Sequence, residues 1–269
     1  MNPFLKNILL KVMPLESWLD TPIFRAYLKM RSPVLWQDQE NERLFFKQLF
    51  ARVFGDKKEV LVFDVGAYNG YKASLFLKQG ARVISVEPDR ENFSKLKARY
   101  KNNGRISVLN MAVSSQTGKA VFHVQQEGSA LNTLSTKWKD TLEDQQQSRW
   151  GAIPFSETTY EVDTTTLDAL ISRLGVPDFI KIDVEGFEYE ALRGLSKPVK
   201  MISFECNLPE FSEETLACIA HVHQLDPSYR FNYSLVDASF AHEDFLSHAE
   251  FMKIYHSLDV RYMEIYAVR

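Results

Sequence analysis

Three short stretches of this chain carry residue types that could do chemistry together. FDVGAYNGY, residues 63–71, runs an apolar segment into Asp64, Gly66 and Gly70. A glycine turn between strand and helix usually receives phosphates on its backbone N–H groups. RVISVEP follows, ending its apolar run at Glu87 about twenty residues beyond the glycines, where an acid can accept hydrogen bonds from ribose hydroxyls. Further on, IKIDVEGFE holds Asp183 and Glu185, and MISFEC holds Glu205.

Two nucleoside cofactors compete for the first two stretches. A dinucleotide would seat its pyrophosphate on G-x-G-x-x-G, whereas this chain has Gly66-Ala67-Tyr68-Asn69-Gly70. Asp64 would also set a negative charge beside that pyrophosphate. S-adenosylmethionine has no phosphate and carries an ammonium and a sulfonium, which a carboxylate favours. The pairing of Asp64 with Glu87 therefore points to S-adenosylmethionine, with a plain strand-to-helix turn as the bland alternative. The three distal carboxylates suit a base that removes a proton from an acceptor. They could instead cap a helix or hold a divalent cation; nothing in the sequence supplies a recognisable cation loop, and the expectation is metal-free.

These residues need a scaffold that brings strand ends together. From EVLVFDV onward, short β-rich runs alternate with helical ones: YKASLFLKQG, RVISVEP, RENFSKLKARYKNNG, ISVLNMAV, DFIKIDVEG, FEYEALRGL and KMISFEC. The alternation predicts βαβ units on a parallel sheet, whose ligand crevice lies at the strand carboxyl ends. FNYSLVD and RYMEIYAVR would extend its edge. KAVFHVQ and TTYEVDT read as a hairpin in a long insertion, and STKWKDTLEDQQQSRW as a polar excursion. Residues 1–55 read as helical: Phe4, Leu5, Ile8, Leu9 and Val12 recur at helical spacing, and Ser32-Pro33 opens a second pattern through Leu44, Phe45, Leu49 and Phe50. The expected division is a helical extension or cap over 1–55 and a catalytic domain over 56–269.

Through FDVGAYNGY, VISVEPDRENFSKLK, NMAVSSQTGKAVFHV, TTLDAL and IKIDVEGFEYEALRGL, in order over roughly residues 60–206, the chain resembles the FkbM-type S-adenosylmethionine-dependent methyltransferases. The resemblance implies an α/β class I methyltransferase (Rossmann-like) fold, with a seven-stranded, mostly parallel sheet whose last strand is antiparallel and helices on both faces. It also implies O-methylation of hydroxyls on saccharides or other natural products. Carried over by position, Asp64 and Gly66 would hold the methionine end of the cofactor, with Ala67, Tyr68 and Gly70 completing the loop. Glu87 would take the ribose, Pro88 and Asp89 would border the adenine, and Met111 and Ala112 would meet its ring. Asp183 and Glu185 are the catalytic candidates. Tyr68-Asn69 departs from the family's usual Asn followed by an aliphatic residue.

Composition narrows the rest. The 269 residues are 45% hydrophobic and 25% charged, as a folded globular chain requires. A formal charge of -3 leaves no electrostatic footprint for nucleic acid. No run reaches the length of a membrane span, and Lys6 and Lys11 interrupt the first apolar segment, so a cytoplasmic location is the expectation. Cys206 and Cys218 lack metal or disulfide spacing and read as reduced, buried thiols. His221, His223, His242, His248 and His256 lack ligand spacing with the acids. The extension's aromatics, Phe4, Trp18, Phe24, Tyr27 and Trp36, would suit an acceptor-side cap, a dimer contact or an interfacial helix, although Glu16, Asp20, Asp38 and Glu40 dilute any membrane-binding face. The expected partner is a small-molecule or glycan acceptor. The competing function is a sensor or scaffold that binds the cofactor without turnover.

Overall fold

A computed structural model describes residues 21–144, 151–235 and 238–269. The apolar runs become strands buried on both faces, as a parallel sheet demands. β1 (Leu61–Val65), β2 (Arg82–Val86) and β3 (Ile106–Leu109) step outward in one direction, linked by helices α3 (Tyr71–Lys78) and α4 (Arg90–Tyr100). The chain then returns to the other side of β1 with β7 (Phe179–Ile182), followed by β8 (Met201–Asn207), both parallel to it. This reversal makes the gap between β1 and β7 the switch point at which open α/β sheets bind ligands. Gly66 and Asp183 both sit there.

β11 (Tyr262–Val268) runs antiparallel to β8 and to β9 (Arg230–Ser234), giving the order β3-β2-β1-β7-β8-β11-β9 of a class I methyltransferase sheet. The two-residue β10 (Leu246–Ser247) adds an eighth strand at the edge of β9. RYMEIYAVR is therefore an interior strand rather than an edge, consistent with the burial of Met263, Ile265 and Ala267. ISVLNMAV divides after Leu109: β4 (Ala112–Val113) leaves the main sheet and pairs with β6 (Thr159–Thr165), which in turn pairs with β5 (Gly118–His123) as the expected hairpin. Within the polar excursion, α5 (Thr136–Glu143) buries Trp138 and Leu142 and takes its N-cap from Ser135. Residues 145–150 lie outside the described residues, as do the first apolar pattern and Trp18.

In the N-terminal part, α1 (Pro22–Arg31) is capped by Thr21, whose Oγ1 accepts from the Phe24 N–H at 3.2 Å, and α2 (Pro33–Phe54) starts at Pro33. Helix α2 buries Phe45, Phe46, Leu49 and Phe50. Phe46 meets Phe76 of α3 edge-on at 5.1 Å, and Phe76 meets Phe179 of β7 at 5.6 Å. The extension thus shares its apolar face with the sheet.

Candidate functional site

The glycine loop owes its shape to a close approach. Gly66 adopts φ +77°, and a Cβ there would fall 1.7 Å from the Asp183 carbonyl oxygen. Gly66 and Ala67 both donate to the Val86 carbonyl, at 3.0 and 3.2 Å, and Asp183 N–H donates to Val65 at 3.0 Å, so three strand ends are tied together. Gly70, at φ +76°, opens α3 where a Cβ would come within 2.4 Å of Leu96. Tyr68 also holds a positive φ of 47°, and its side chain is half-exposed at the mouth.

Glu87 is fixed by that loop. Its two oxygens accept from Tyr68 N–H at 2.7 Å and Asp89 N–H at 2.9 Å. Burial outweighs these bonds and pushes the carboxyl up to about 8. Asn110 anchors the segment by donating to the Glu87 and Pro88 carbonyls at 2.9 and 3.0 Å. Asp89 is committed elsewhere, capping α4 and accepting from Asn132 at 2.9 Å. Gly66, Tyr68, Glu87, Pro88, Met111 and Ala112 line one cleft, closed on its far side by Asn132 and Thr133 from the insertion.

Asp64 lies elsewhere. It is fully buried on β1 and is absent from the lining of this cleft and of the neighbouring one. Burial raises it to about 6, with Lys181 pulling the other way from 3.9 Å. Ser85 is its register partner on β2 and close enough to lower that value, yet neither Asp64 oxygen accepts a hydrogen bond of ordinary geometry. Lys181 was not anticipated as a site residue. Its signal was legible, a lysine two positions before Asp183 in an otherwise apolar strand, which implies a buried partner. Its ammonium reaches Asp183 Oδ2 at 2.8 Å; burial opposes its charge, but Asp183 and Asp64 raise its pKa further.

Asp183, Glu185 and Glu205 converge as expected, each offering a carboxylate oxygen within 4.8 Å of the others. No histidine joins this group among the described residues. Burial raises both Glu185 and Glu205 well above the usual carboxylate range, and repulsion adds to it, from Glu205 and Asp183 on Glu185 and from Asp183 and Glu188 on Glu205. Glu185 sits at φ +54°, held by Thr133, whose hydroxyl donates to its carbonyl at 2.7 Å. Asp183 caps no helix. The backbone N–H groups of Val184 and Gly186 donate to Glu188 instead, at 3.0 and 3.3 Å, and burial raises Glu188 to about 7. This leaves Asp183 to face both clefts.

Cys206 and Cys218 are free and buried. Among the described residues no helix is long and apolar enough to cross a membrane.

The described cleft fits S-adenosylmethionine on two counts: an acid at the β2 end beside the Gly66–Tyr68 turn, and apolar Met111 and Ala112 opposite. A family model, described as the methyltransferase FkbM domain, matches residues 64–255. Among solved structures, one of the plantazolicin methyltransferase BpumL in complex with a monoazolic desmethylPZN analog and SAH is similar at 11% identity and a TM-score of 0.44, over 94% of this chain and 93% of that one. The precorrin-6y C5,15-methyltransferase from Geobacter metallireducens GS-15 is similar at 9% identity and 0.41, over 84% of each chain. No curated protein matches the sequence.

Proposed function

Since the chain belongs to the FkbM methyltransferase family, we propose that it transfers a methyl group from S-adenosylmethionine to a hydroxyl of a saccharide, a glycoconjugate precursor or another natural product. The carrying observation is the position of Asp183. It lines the Glu87 cleft and also the larger cleft beneath α2, which otherwise share only Gly66 and Tyr68. A carboxylate at that junction meets an acceptor where the methyl group arrives.

S-adenosylmethionine, when bound, supplies an electrophilic methyl carbon on a sulfonium. Glu87 would accept hydrogen bonds from the ribose and the Gly66–Tyr68 backbone would orient the methionine end, with Pro88, Met111 and Ala112 shaping the remaining contacts; Ala67 lines the larger cleft instead, and Gly70 lines neither. Asp64 acts from beneath the loop, through its charge. Asp183 orients the acceptor hydroxyl and takes its proton as the O–C bond forms and the S–C bond breaks. Lys181 holds the Asp183 carboxylate in place, and the Glu185 and Glu205 carboxyls stand beside it. No metal is required in this scheme. Replacing Asp183 with Asn should lower kcat while leaving cofactor affinity nearly intact, a loss confined to the transition state; full activity in that variant would remove Asp183 from the chemistry.

A further inference from the structure

We propose that the larger cleft, beneath helix α2, is the acceptor site and that it takes a polyhydroxyl group free of negative charge, such as a neutral glycosyl unit. This rests on the methyl-transfer reading and goes on to say where the acceptor lies and what it carries.

The cleft has one wall from α2, with Leu35, Asp38 and Glu42, and another from Ser234, Leu235 and Tyr262. Its floor is Lys72, Lys181 and Glu264, and it meets the Glu87 cleft at Gly66, Tyr68 and Asp183. Four carboxylates, Asp38, Glu42, Asp183 and Glu264, face two ammonium groups, Lys72 and Lys181, a formal excess of two negative charges. Both cations are already committed. Lys72 is ion-paired with Glu42, and Lys181 with Asp183 at 2.8 Å. Phosphate or uronate would have to displace a carboxylate from a buried lysine and leave that carboxylate uncompensated, which is costly. A neutral polyol meets no such barrier. Its hydroxyls donate to the acceptor-rich lining and accept from the lysines, and the half-exposed Tyr68 lines the junction.

The test uses the full chain saturated with S-adenosylhomocysteine, whose affinity is read first by calorimetry. Methyl α-glucopyranoside, glucose 6-phosphate and glucuronate are then titrated, with binding read by saturation-transfer NMR. The neutral glycoside should bind, and the two anions should bind about tenfold more weakly or not at all. Gln39 also lines the α2 wall, and Gln39→Trp there and Leu235→Trp on the other wall should each abolish glycoside binding with cofactor affinity unchanged. Tighter binding of an anion, no binding of the neutral glycoside, or unaltered binding in both tryptophan variants would overturn the assignment while the methyl-transfer reading stood. Absence of S-adenosylhomocysteine binding would instead strike that reading, and the acceptor assignment with it.

Discussion

Glu87 has an ionisation that the cofactor must alter. Burial holds it near pH 8 in the free protein, and ribose hydroxyls that donate to it favour the charged form, so binding lowers its pKa and releases a proton below about pH 8. Affinity for S-adenosylhomocysteine should therefore rise by about tenfold from pH 6.5 to 8.5 and level off above. Calorimetry in buffers of different ionisation enthalpy reads both effects, and a flat profile would detach Glu87 from the ribose. Glu87→Ala should weaken binding roughly tenfold to a hundredfold, since hydrogen bonds to a charged group contribute about 1.5 to 3 kcal/mol. At the distal rim, turnover should survive EDTA; abolition with rescue by magnesium or manganese would hand the Asp183, Glu185 and Glu205 cluster to a cation. These positions were legible in the sequence because each ends an apolar run, and strand ends meet at one crevice. The Asp64 to Lys181 contact was not legible, because it depends on the register that sets them side by side across β1 and β7.

Among the elements, helix α2 bears on both stability and site. Phe46 is fully buried against α3, so Phe46→Ala should cost about 3 to 5 kcal/mol in chemical denaturation. A chain beginning near Lys57 would expose that apolar face and should aggregate; if it instead folded and turned over acceptor with unchanged KM, α2 would have no place in the acceptor wall. The turn before α3 is equally constrained, and Gly66→Ala should abolish cofactor binding because the new Cβ collides with backbone rather than with a movable side chain. Helix α2 was readable from Pro33 and its apolar spacing, and the hairpin of β5 and β6 from alternation. The break between β3 and β4 was hidden because Asn110, where it falls, is a single polar residue in a stretch otherwise rich in apolar ones. So was the insertion of β11 between β8 and β9, because pairing partners are chosen by the whole sheet and leave no mark on a single strand.

Over the whole molecule, buried acids outnumber those stabilised by partners around the switch point. Asp64 near 6, Glu188 near 7 and Glu87 near 8, with Glu185 and Glu205 also raised, bind more protons folded than unfolded. Stability of the ligand-free protein should then fall as pH rises from the ordinary carboxylate range to about 8. His123 and His248, lowered first by burial, act in the opposite sense below about pH 6.5, which concentrates the net loss between about pH 6.5 and 8. Urea denaturation at pH 6.5 and 8.5 measures it, and greater stability at 8.5 would contradict the burial of these acids. The fold as a whole was the most legible level, since the alternation of strand and helix admits few topologies; the acceptor cleft was the least, being assembled from α2, the glycine loop and β11. The most direct test of the central claim supplies S-adenosylmethionine labelled with 13C in its methyl group, together with a hydroxyl-bearing glycoside, and follows the label by NMR and mass. The account predicts one label per acceptor, appearing as a methoxy carbon and lost in Asp183→Asn; label on nitrogen or carbon, or tight cofactor binding with no transfer to any acceptor, would contradict it.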